Sequence, residues 1–147
     1  MDAPPAVVVL RRSITELCGA DHLEDAATLE RWLSNKTAAH FLRWLADPES
    51  ALYIAELEAT IAGVGLVHQS GEIRLCYVSP DFQRAGAGRA LLAALEEQAR
   101  DWGLESVRLD SSRAALTFYA RHGYVPSGAP TPGFGVTICH PHSKQLR

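Results

Sequence analysis

The stretch 71–102 constrains the fold more than any other part of the sequence, because a short turn rich in small residues joins two differently patterned segments. Before the turn, apolar and polar residues alternate loosely between Gly71 and Pro80, which is the period of a β-strand. After it, apolar residues recur at helical spacing, and Gly103 stands where a left-handed residue would close the helix. The predicted inward face of this helix carries Gly88, Leu91, Leu92, Leu95, Ala99 and Trp102, and the outward face carries Arg89, Glu96, Glu97, Arg100 and Asp101.

The turn itself, Gln-Arg-Ala-Gly-Ala-Gly over residues 83–88, predicts a binding place for a phosphate. Few side chains crowd the start of the following helix, so its free N–H groups can contact a bulky anion directly. A Rossmann fingerprint would need Gly or Ala where Leu91 stands, and a P-loop would need Lys where Arg89 follows Gly88. The turn predicts neither of these folds, and close packing of helix against strand is the alternative to phosphate binding.

Composition limits the class of protein. The chain has 147 residues, 47% of them apolar and 21% charged, which is typical of a single globular domain over residues 1–147. The net charge is −3 and the arginines are scattered, so there is no basic stripe for nucleic acid or an anionic membrane. The start does not resemble a signal peptide, no apolar run approaches the ~20 residues of a membrane span, and three separate cysteines indicate free thiols. We therefore expect a cytoplasmic protein that binds neither nucleic acid nor membrane.

The patterning of the whole chain predicts a mixed α/β protein. The first seventy residues predict a strand, two helices and a hairpin that leads into the central strand. After the central helix, strand and helix alternate, which implies parallel pairing in the second half. The predicted elements are a strand over 6–10, helices over 21–33 and after Thr37, strands over 51–57 and 61–68, a strand over 106–109, a helix that Gly123 ends, and short strands over 124–126 and 133–139.

Two motifs carry a resemblance to a known family. The string Gln-x-x-Gly-x-Gly, between a strand ending in Val-Ser-Pro and a Leu-rich helix, resembles the acetyl-CoA-binding motif of the GCN5-related N-acetyltransferases, the GNAT superfamily. A second segment, Phe118-Tyr119-Ala-Arg-His-Gly123-Tyr124, is similar to the Phe-Tyr-x-x-x-Gly-Phe segment of the same superfamily. The resemblance implies a mixed sheet of six or seven strands that splays open beside the central strand, with about four helices on its two faces.

The resemblance also implies an activity, the direct transfer of an acetyl group from acetyl-CoA to a primary amine in a ternary complex. A non-catalytic acyl-CoA-binding regulatory or sensor module is the alternative on the same fold, and a binder of ATP or NAD at the same turn is a third possibility. The acceptor is open between small amines and protein amines, and homodimers are common among proteins of this appearance. No metal is predicted, because His140 and His142 have no third ligand nearby.

Such a transfer needs an unprotonated amine and a protonated leaving thiol, and two side chains are predicted to move these protons. Tyr119 is the candidate general acid, because a phenol with a pKa near ~10 is protonated at neutral pH and can supply a thiolate of pKa about 8.5. Glu72 is the candidate general base, by its similarity to the catalytic Glu of the histone-acetylating branch. A solvated carboxylate with no catalytic role is the alternative for Glu72, a water chain is the alternative base, and Glu56 and Glu58 are reserve candidates.

The resemblance places the cofactor along the central strand and the turn. The turn would hold the pyrophosphate. Arg84 and Arg89 could add charge there, and solvated arginines with no contact to the cofactor are the alternative for both. The backbone of the strand would hold the pantetheine arm, and the Cys76 amide would face the acetyl oxygen. A nucleophilic Cys76 is an alternative, but no acidic-thiol setting surrounds it. Ser112 stands where many members carry Asn and offers a shorter reach. The predicted cofactor-binding residues are Cys76, Val78, Gln83, Arg84, Ala85, Gly86, Ala87, Gly88, Arg89, Ala90 and Ser112.

The sequence indicates less about the acceptor side, which is the part of the site that would bind the acceptor amine. Trp32, Phe41 and Trp44 on the first two predicted helices are expected in the core, although this helical pair often walls the acceptor site in the family. Asn35 and Lys36, in the connection between these helices, are acceptor-side candidates.

Overall fold

A computed structural model of the chain describes residues 3–147. The helices are α1 (Ala3–Leu17), α2 (Gly19–His22), α3 (Ala26–Leu33), α4 (Ala38–Ala46), α5 (Ala87–Asp101) and α6 (Leu116–Arg121). The strands are β1 (Ser50–Leu57), β2 (Thr60–His68), β3 (Ile73–Val78), β4 (Ser106–Ser111), β5 (Val125–Pro126), β6 (Thr131–Pro132) and β7 (Ile138–Gln145). Short 3-10 turns, Pro80–Phe82 and Arg113–Ala115, precede α5 and α6. This order confirms the predicted mixed α/β class.

The strands form two sheets that touch beside the central strand. One sheet has the antiparallel order β1-β2-β3, and in the other β7 pairs antiparallel with β4, β5 and β6. β3 and β4 meet at one parallel bridge between Glu72 and Arg108. The predicted splaying beside the central strand is therefore confirmed. The parallel pairing expected in the second half is wrong except at that bridge, because β7 inserts between β4 and β5 and runs opposite to both.

The first predicted element is wrong, because residues 6–10 belong to helix α1 and not to a strand. A run of three valines favours a strand by propensity, but that preference is weak compared with tertiary packing. Pro4 and Pro5 fit the first described turn of α1, where a missing N–H breaks no helical bond. One face of the helix is buried against β2 and β3, at helical spacing through Ala3, Ala6, Val9, Leu10, Ser13 and Ile14.

The helix predicted over residues 21–33 is two helices, α2 and α3. The chain breaks at Leu23 and Glu24, which both have a left-handed backbone with φ of 53° and 58°. α3 then starts afresh at Asp25, whose carboxylate accepts from the Thr28 N–H at 3.0 Å. Together with α1, this break gives six helices among residues 3–147, where about four were expected. The predicted cap of α4 is confirmed, since the Thr37 hydroxyl accepts from the His40 N–H at 3.2 Å.

The last strand lies later in the chain than predicted. Residues 133–139 were expected to form it because apolar residues alternate there, but β7 begins at Ile138. The segment before it is a turn, in which the N–H of Gly133 donates to the Thr137 carbonyl and the N–H of Thr137 to the Phe134 carbonyl. Phe134 and Val136 are exposed on this turn, so their alternation reflects no buried face.

The buried face of α5 is confirmed with one exception. Its leucines and Ala99 are buried against β1, β2 and β3, and Gly103 closes the helix with φ of 81°. Glu96, predicted to point outward, is only 5% exposed. Its carboxylate accepts from the Tyr124 hydroxyl at 2.7 Å and from the Lys144 ammonium at 2.9 Å. The prediction failed because both partners come from the last quarter of the chain.

Candidate active site

A cavity of about 500 Å³ lies in the gap between β3 and β4. The whole of β3 lines one side and residues 109–112 line the other. Phe118 and Tyr119 of α6 close the cavity from the second half of the chain. From the first half, α1–α4 and their connections contribute Ser13, Leu17, Cys18, Asp21, Trp32 and Lys36. Side chains from both halves of the chain therefore line the same gap beside β3.

The start of α5 adjoins this cavity and presents free backbone N–H groups. The first helical bond runs from the Ala90 N–H to the Gly86 carbonyl at 3.0 Å, and no side chain among residues 3–147 caps the helix. The N–H groups of Ala87, Gly88 and Arg89 thus have no helical acceptor. Gly86 has φ of 87°, a left-handed backbone that glycine adopts without strain. This end of the helix carries the partial positive charge of the helix dipole and suits an anion.

Gly88 also allows close packing of the helix against the strand, which was the alternative interpretation of the turn. A Cβ on Gly88 would lie 3.2 Å from the Phe118 ring and 3.4 Å from a Val78 methyl group. The helix can approach β3 and α6 this closely only because glycine stands at that position. Close packing accounts for Gly88, whereas a Cβ at Gly86 would meet nothing within 4 Å.

An ion pair connects helix α1 to the chain just before this turn. The Arg12 guanidinium donates to both carboxylate oxygens of Asp81, at 2.8 and 3.1 Å, and to Glu16 at 2.8 Å. This pairing lowers the pKa of Asp81. Arg84 is exposed on the turn and Arg89 is exposed at the start of α5, and Arg84 adopts a left-handed backbone with φ of 62°. Both guanidinium groups are placed where they can add positive charge near the helix end.

Tyr119 and Cys76 face each other inside the cavity. Tyr119 is 7% exposed, and its ring packs edge-on against Phe118 and Tyr124 with centroids 5.2 and 5.5 Å apart. Burial is the largest cause that raises the pKa of Tyr119 well above 10, and its hydrogen bond with Cys76 acts in the same direction. Burial also raises the pKa of Cys76 to about 12. Both groups are therefore protonated at neutral pH, which suits a proton donor and not a thiolate nucleophile.

The structure separates Glu72 from these groups. Its carboxylate accepts from the Arg74 Nε at 2.6 Å, and Glu72 lies at the bridge where β3 and β4 touch, outside the cavity lining. The reserve candidates Glu56 and Glu58 are exposed and also lie outside the lining. Of the predicted site residues, the cavity brings together Tyr119, Cys76, Val78, Gln83, Gly88 and Ser112, and the adjoining turn carries Arg84, Ala85, Gly86, Ala87, Arg89 and Ala90.

Asp21 is a cavity residue that the sequence analysis missed. Its buried carboxylate accepts from the backbone N–H of Arg113 at 2.6 Å and of Ala114 at 3.1 Å. It thereby holds the 3-10 turn that follows Ser112 against α2. Its partners lie 92 and 93 positions away in the chain, so no local sequence signal pointed to this contact.

Lys36, an acceptor-side candidate, lies in the cavity wall and is 6% exposed. Its ammonium donates to the Asn35 side-chain oxygen at 2.6 Å, and burial lowers its pKa to about 8. Trp32 lines the same wall, whereas Phe41 is buried in a separate cluster with α1 and β2, and Trp44 packs against that cluster. Of the three aromatics on the first helices, Trp32 alone lines this cavity.

Within residues 3–147, no group of three or more His, Cys, Asp or Glu side chains could hold a metal ion. In the tail, the His142 Nδ1 is hydrogen-bonded to the His140 carbonyl at 2.8 Å. The three cysteines are free thiols. No helix among the described residues has both the length and the apolar character needed to cross a bilayer.

This fold and cavity match a known family of enzymes. Residues 19–140 match the family model described as an acetyltransferase (GNAT) domain, which is most of the chain and includes most of the cavity. The chain belongs to the GNAT acetyltransferases and is an acetyltransferase, as the resemblance of its two motifs implied.

Individual relatives agree with this assignment. The chain is 29% identical over 105 residues to an uncharacterized N-acetyltransferase of Mycobacterium tuberculosis, which covers 67% of each protein. Its structure is similar to that of a GCN5-related N-acetyltransferase of Rhodopseudomonas palustris, with a TM-score of 0.85 and 25% identity over 98% of this chain and 89% of that one. The PaiA N-acetyltransferase of Thermoplasma acidophilum, solved in complex with coenzyme A, shares the fold with a TM-score of 0.79 and 18% identity over 98% of this chain and 92% of that one.

Proposed function

We propose that this acetyltransferase moves an acetyl group from acetyl-CoA to a primary amine by direct transfer in a ternary complex. The observation that carries the proposal is the uncapped, glycine-rich start of α5 beside a cavity that contains the buried phenol of Tyr119. The PaiA relative in complex with coenzyme A supports the choice of cofactor. The high pKa of Cys76 supports direct transfer over an acetyl-enzyme intermediate.

The residues present fit coenzyme A. The N–H groups of Ala87, Gly88 and Arg89 have no helical acceptor, and a diphosphate satisfies them while it benefits from the helix dipole. Arg84 would add charge beside them. On the other side of the gap, β3 has one edge paired with β2, and its other edge is unpaired beyond the Glu72 bridge. Unpaired strand groups of this kind bind an extended, amide-bearing chain, which describes the pantetheine arm.

The protein's own groups would handle the protons. Acetyl-CoA supplies an acetyl group activated as a thioester. The Tyr119 Oη is buried and carries a proton at neutral pH, so it can donate that proton to a thiolate. The Cys76 main-chain amide is the predicted donor to the acetyl oxygen. Glu72 lies outside the cavity lining, so we expect it to take the proton of the acceptor ammonium through water and not by direct contact.

The test is thiol release from acetyl-CoA on mixing with a broad panel of primary amines, with acetylated product identified by mass spectrometry. We expect release that depends on the amine, and competition by coenzyme A but not by ATP or NAD. Coenzyme A binding without release on any amine would instead support a sensor module. Competition by ATP or NAD at concentrations similar to those of coenzyme A would indicate a general nucleotide site.

The predicted location, domain organisation, absence of a metal and partners of the enzyme remain predictions. The cytoplasmic location, the single domain over 1–147, the absence of a metal and the absence of nucleic-acid or membrane partners rest on composition and pattern. A homodimer rests on the resemblance, and light scattering of the purified protein measures it directly.

A further inference from the structure

The charged side chains of the cavity lining differ in whether they are already paired. The lining contains Asp21, Lys36, Arg74 and Asp110. Asp21 is satisfied by two backbone N–H groups, Arg74 pairs with Glu72, and Asp110 is exposed to water. Lys36 differs from these, because it is buried and no carboxylate pairs with it within the part of the chain that the structure describes.

Leaving Lys36 in this state costs free energy. Moving an ammonium out of water is unfavourable unless a counter-ion compensates, and the Asn35 oxygen satisfies one of its three donors without neutralising the charge. The cost is visible in the pKa of Lys36, which burial lowers to about 8, although the group is still mostly protonated at neutral pH. A bound anion would relieve this cost, whereas a cationic ligand would add to it.

The position of Lys36 is built by surrounding contacts. The Arg11 guanidinium donates to the carbonyls of Leu33 and Lys36, at 3.0 and 3.1 Å, which ties the connection between α3 and α4 to α1. These bonds fix the backbone of Lys36, and its ammonium is held by the hydrogen bond to the Asn35 side chain. The turn expected to bind the cofactor diphosphate follows β3, in a different part of the chain, and has its own N–H groups for that purpose.

Two aromatic side chains that line the same cavity as Lys36 indicate the chemical character of the uncharged part of the ligand. Trp32 is 7% exposed and lines the cavity, and Phe134 lines it from the turn before β7. The Arg31 guanidinium lies 6.0 Å from the centroid of the Phe134 ring, a cation–π contact that favours this position of the ring. An apolar, aromatic wall with one buried ammonium suits a molecule with an apolar side chain and a single negative charge.

We propose that the amine acetylated by this enzyme also carries a carboxylate, as amino acids do, and that Lys36 binds this carboxylate while Trp32 and Phe134 contact an apolar side chain. A carboxylate matches one ammonium charge for charge, whereas a phosphate dianion would leave an uncompensated negative charge in the wall. The inference rests on the proposed function and names the acceptor class for the same site.

The experiment compares each amino acid with the amine that lacks its carboxylate, such as phenylalanine with phenethylamine and leucine with 3-methylbutylamine. Rates of acetyl transfer are expressed per concentration of free amine, because the two members of a pair differ in the pKa of the amine. We expect wild-type kcat/KM to be about tenfold to a hundredfold higher for the amino acid, which is the effect of one charge-assisted hydrogen bond.

Three variants separate recognition by Lys36 from a general structural effect. Lys36→Met keeps most of the length of the side chain without its charge, and we expect it to lose the preference, so that its kcat/KM for phenylalanine falls to about its own value for phenethylamine. Lys36→Arg should retain most of the preference. The control is Asp110→Asn, which removes another charge from the lining and should leave the preference intact. Melting temperature and coenzyme A affinity are measured for all three.

Several outcomes would overturn the inference. The wild type could prefer phenethylamine or a polyamine to phenylalanine, or Lys36→Met could lower the rates with both members of a pair equally, which a structural role would cause. Weaker coenzyme A binding by Lys36→Met would assign Lys36 to the cofactor. These results leave acetyl transfer itself intact, whereas a wild-type protein that does not bind coenzyme A would overturn the proposed function together with this inference.

Discussion

The two sides of the cavity are built in different ways. On the side where we propose that the cofactor binds, called the cofactor side below, a strand, a turn and a helix follow one another in the chain, and the start of the helix presents free backbone N–H groups. On the side of the N-terminal helices, the cavity is made of side chains that local pattern does not connect, such as Lys36 and Phe134, which line the same cavity although they are far apart in the sequence. Backbone groups depend little on which side chains the sequence carries, whereas a wall of separate side chains changes its chemistry with each substitution.

The largest expected effect tests the proton donor on the cofactor side. We expect Tyr119→Phe to lower kcat by about a hundredfold or more, since general acid catalysis contributes on the order of 10²- to 10⁴-fold. Coenzyme A affinity, measured by calorimetry, should stay close to that of the wild type. The matched control is Tyr124→Phe, whose hydroxyl binds Glu96 instead of lining the cavity, so its kcat should be retained. Unchanged turnover in Tyr119→Phe would exclude Tyr119 from the mechanism.

A second prediction tests the backbone character of the cofactor side. In Gly88→Val, the branched side chain would press on the Phe118 ring and cover the free N–H groups of α5. We expect coenzyme A affinity to fall at least about tenfold, an effect of ~1.4 kcal/mol. Gly103→Ala at the other end of α5 imposes backbone strain at a φ of 81° without touching the cavity. Equal loss of affinity in both variants would show that helix stability, and not the turn, controls binding.

A third prediction tests the acceptor side through stability. Lys36→Met should raise the free energy of unfolding at pH 7 by about 1–3 kcal/mol, because it removes a buried charge that no carboxylate of the described residues pairs with. The Lys36 pKa is lowered from 10.5 to about 8, so the wild type regains this stability as pH rises from 8 to 10.5. Urea denaturation at pH 7 and pH 9.5 should therefore show a smaller difference between the two proteins at the higher pH.

The second lysine is the control for this effect. Lys144 pairs with the buried carboxylate of Glu96 at 2.9 Å, so Lys144→Met should lower stability where Lys36→Met raises it. Opposite signs would support an uncompensated charge at Lys36. A loss of stability in both variants would show that Lys36 is compensated in the folded protein.

We expect a smaller effect on activity from substitution of Glu72, the predicted general base. Glu72→Gln should lower kcat/KM by less than about tenfold and shift its dependence on pH, because the carboxylate would act through water and is paired with Arg74. Identical pH profiles of the variant and the wild type would remove Glu72 from the mechanism and leave water alone as the base.

The smallest expected effect concerns Cys76. With a pKa raised to about 12, its thiol stays protonated through the range of an activity assay, so Cys76→Ala should keep kcat within about threefold of the wild type. Mass spectrometry after mixing with acetyl-CoA should detect no acetyl group on Cys76 in the wild-type protein. A covalent acetyl-enzyme that turns over would contradict direct transfer.

Sequence reasoning succeeded for elements whose structure depends on neighbouring residues. The hairpin of β1 and β2, the amphipathic helix α5 and the glycine-rich turn are all determined within about 10 to 20 consecutive residues, and each was predicted. It failed at α1, because local valine propensity favoured a strand while burial of one helical face against β2 and β3 decided the outcome. It also failed at Glu96, whose partners are 28 and 48 positions away.

The sequence by itself determined the family, the glycine-rich turn before α5 and the presence of a phenol suited to proton donation, since these rest on contiguous motifs. Tertiary structure alone decided that Asp21 holds the turn after Ser112, that Glu72 lies outside the cavity and that Lys36 is buried with no counter-ion among residues 3–147. The physical reason is that the burial and pairing of a charge depend on elements that meet only when the chain is folded. The spacing of residues within a short segment does not indicate these contacts.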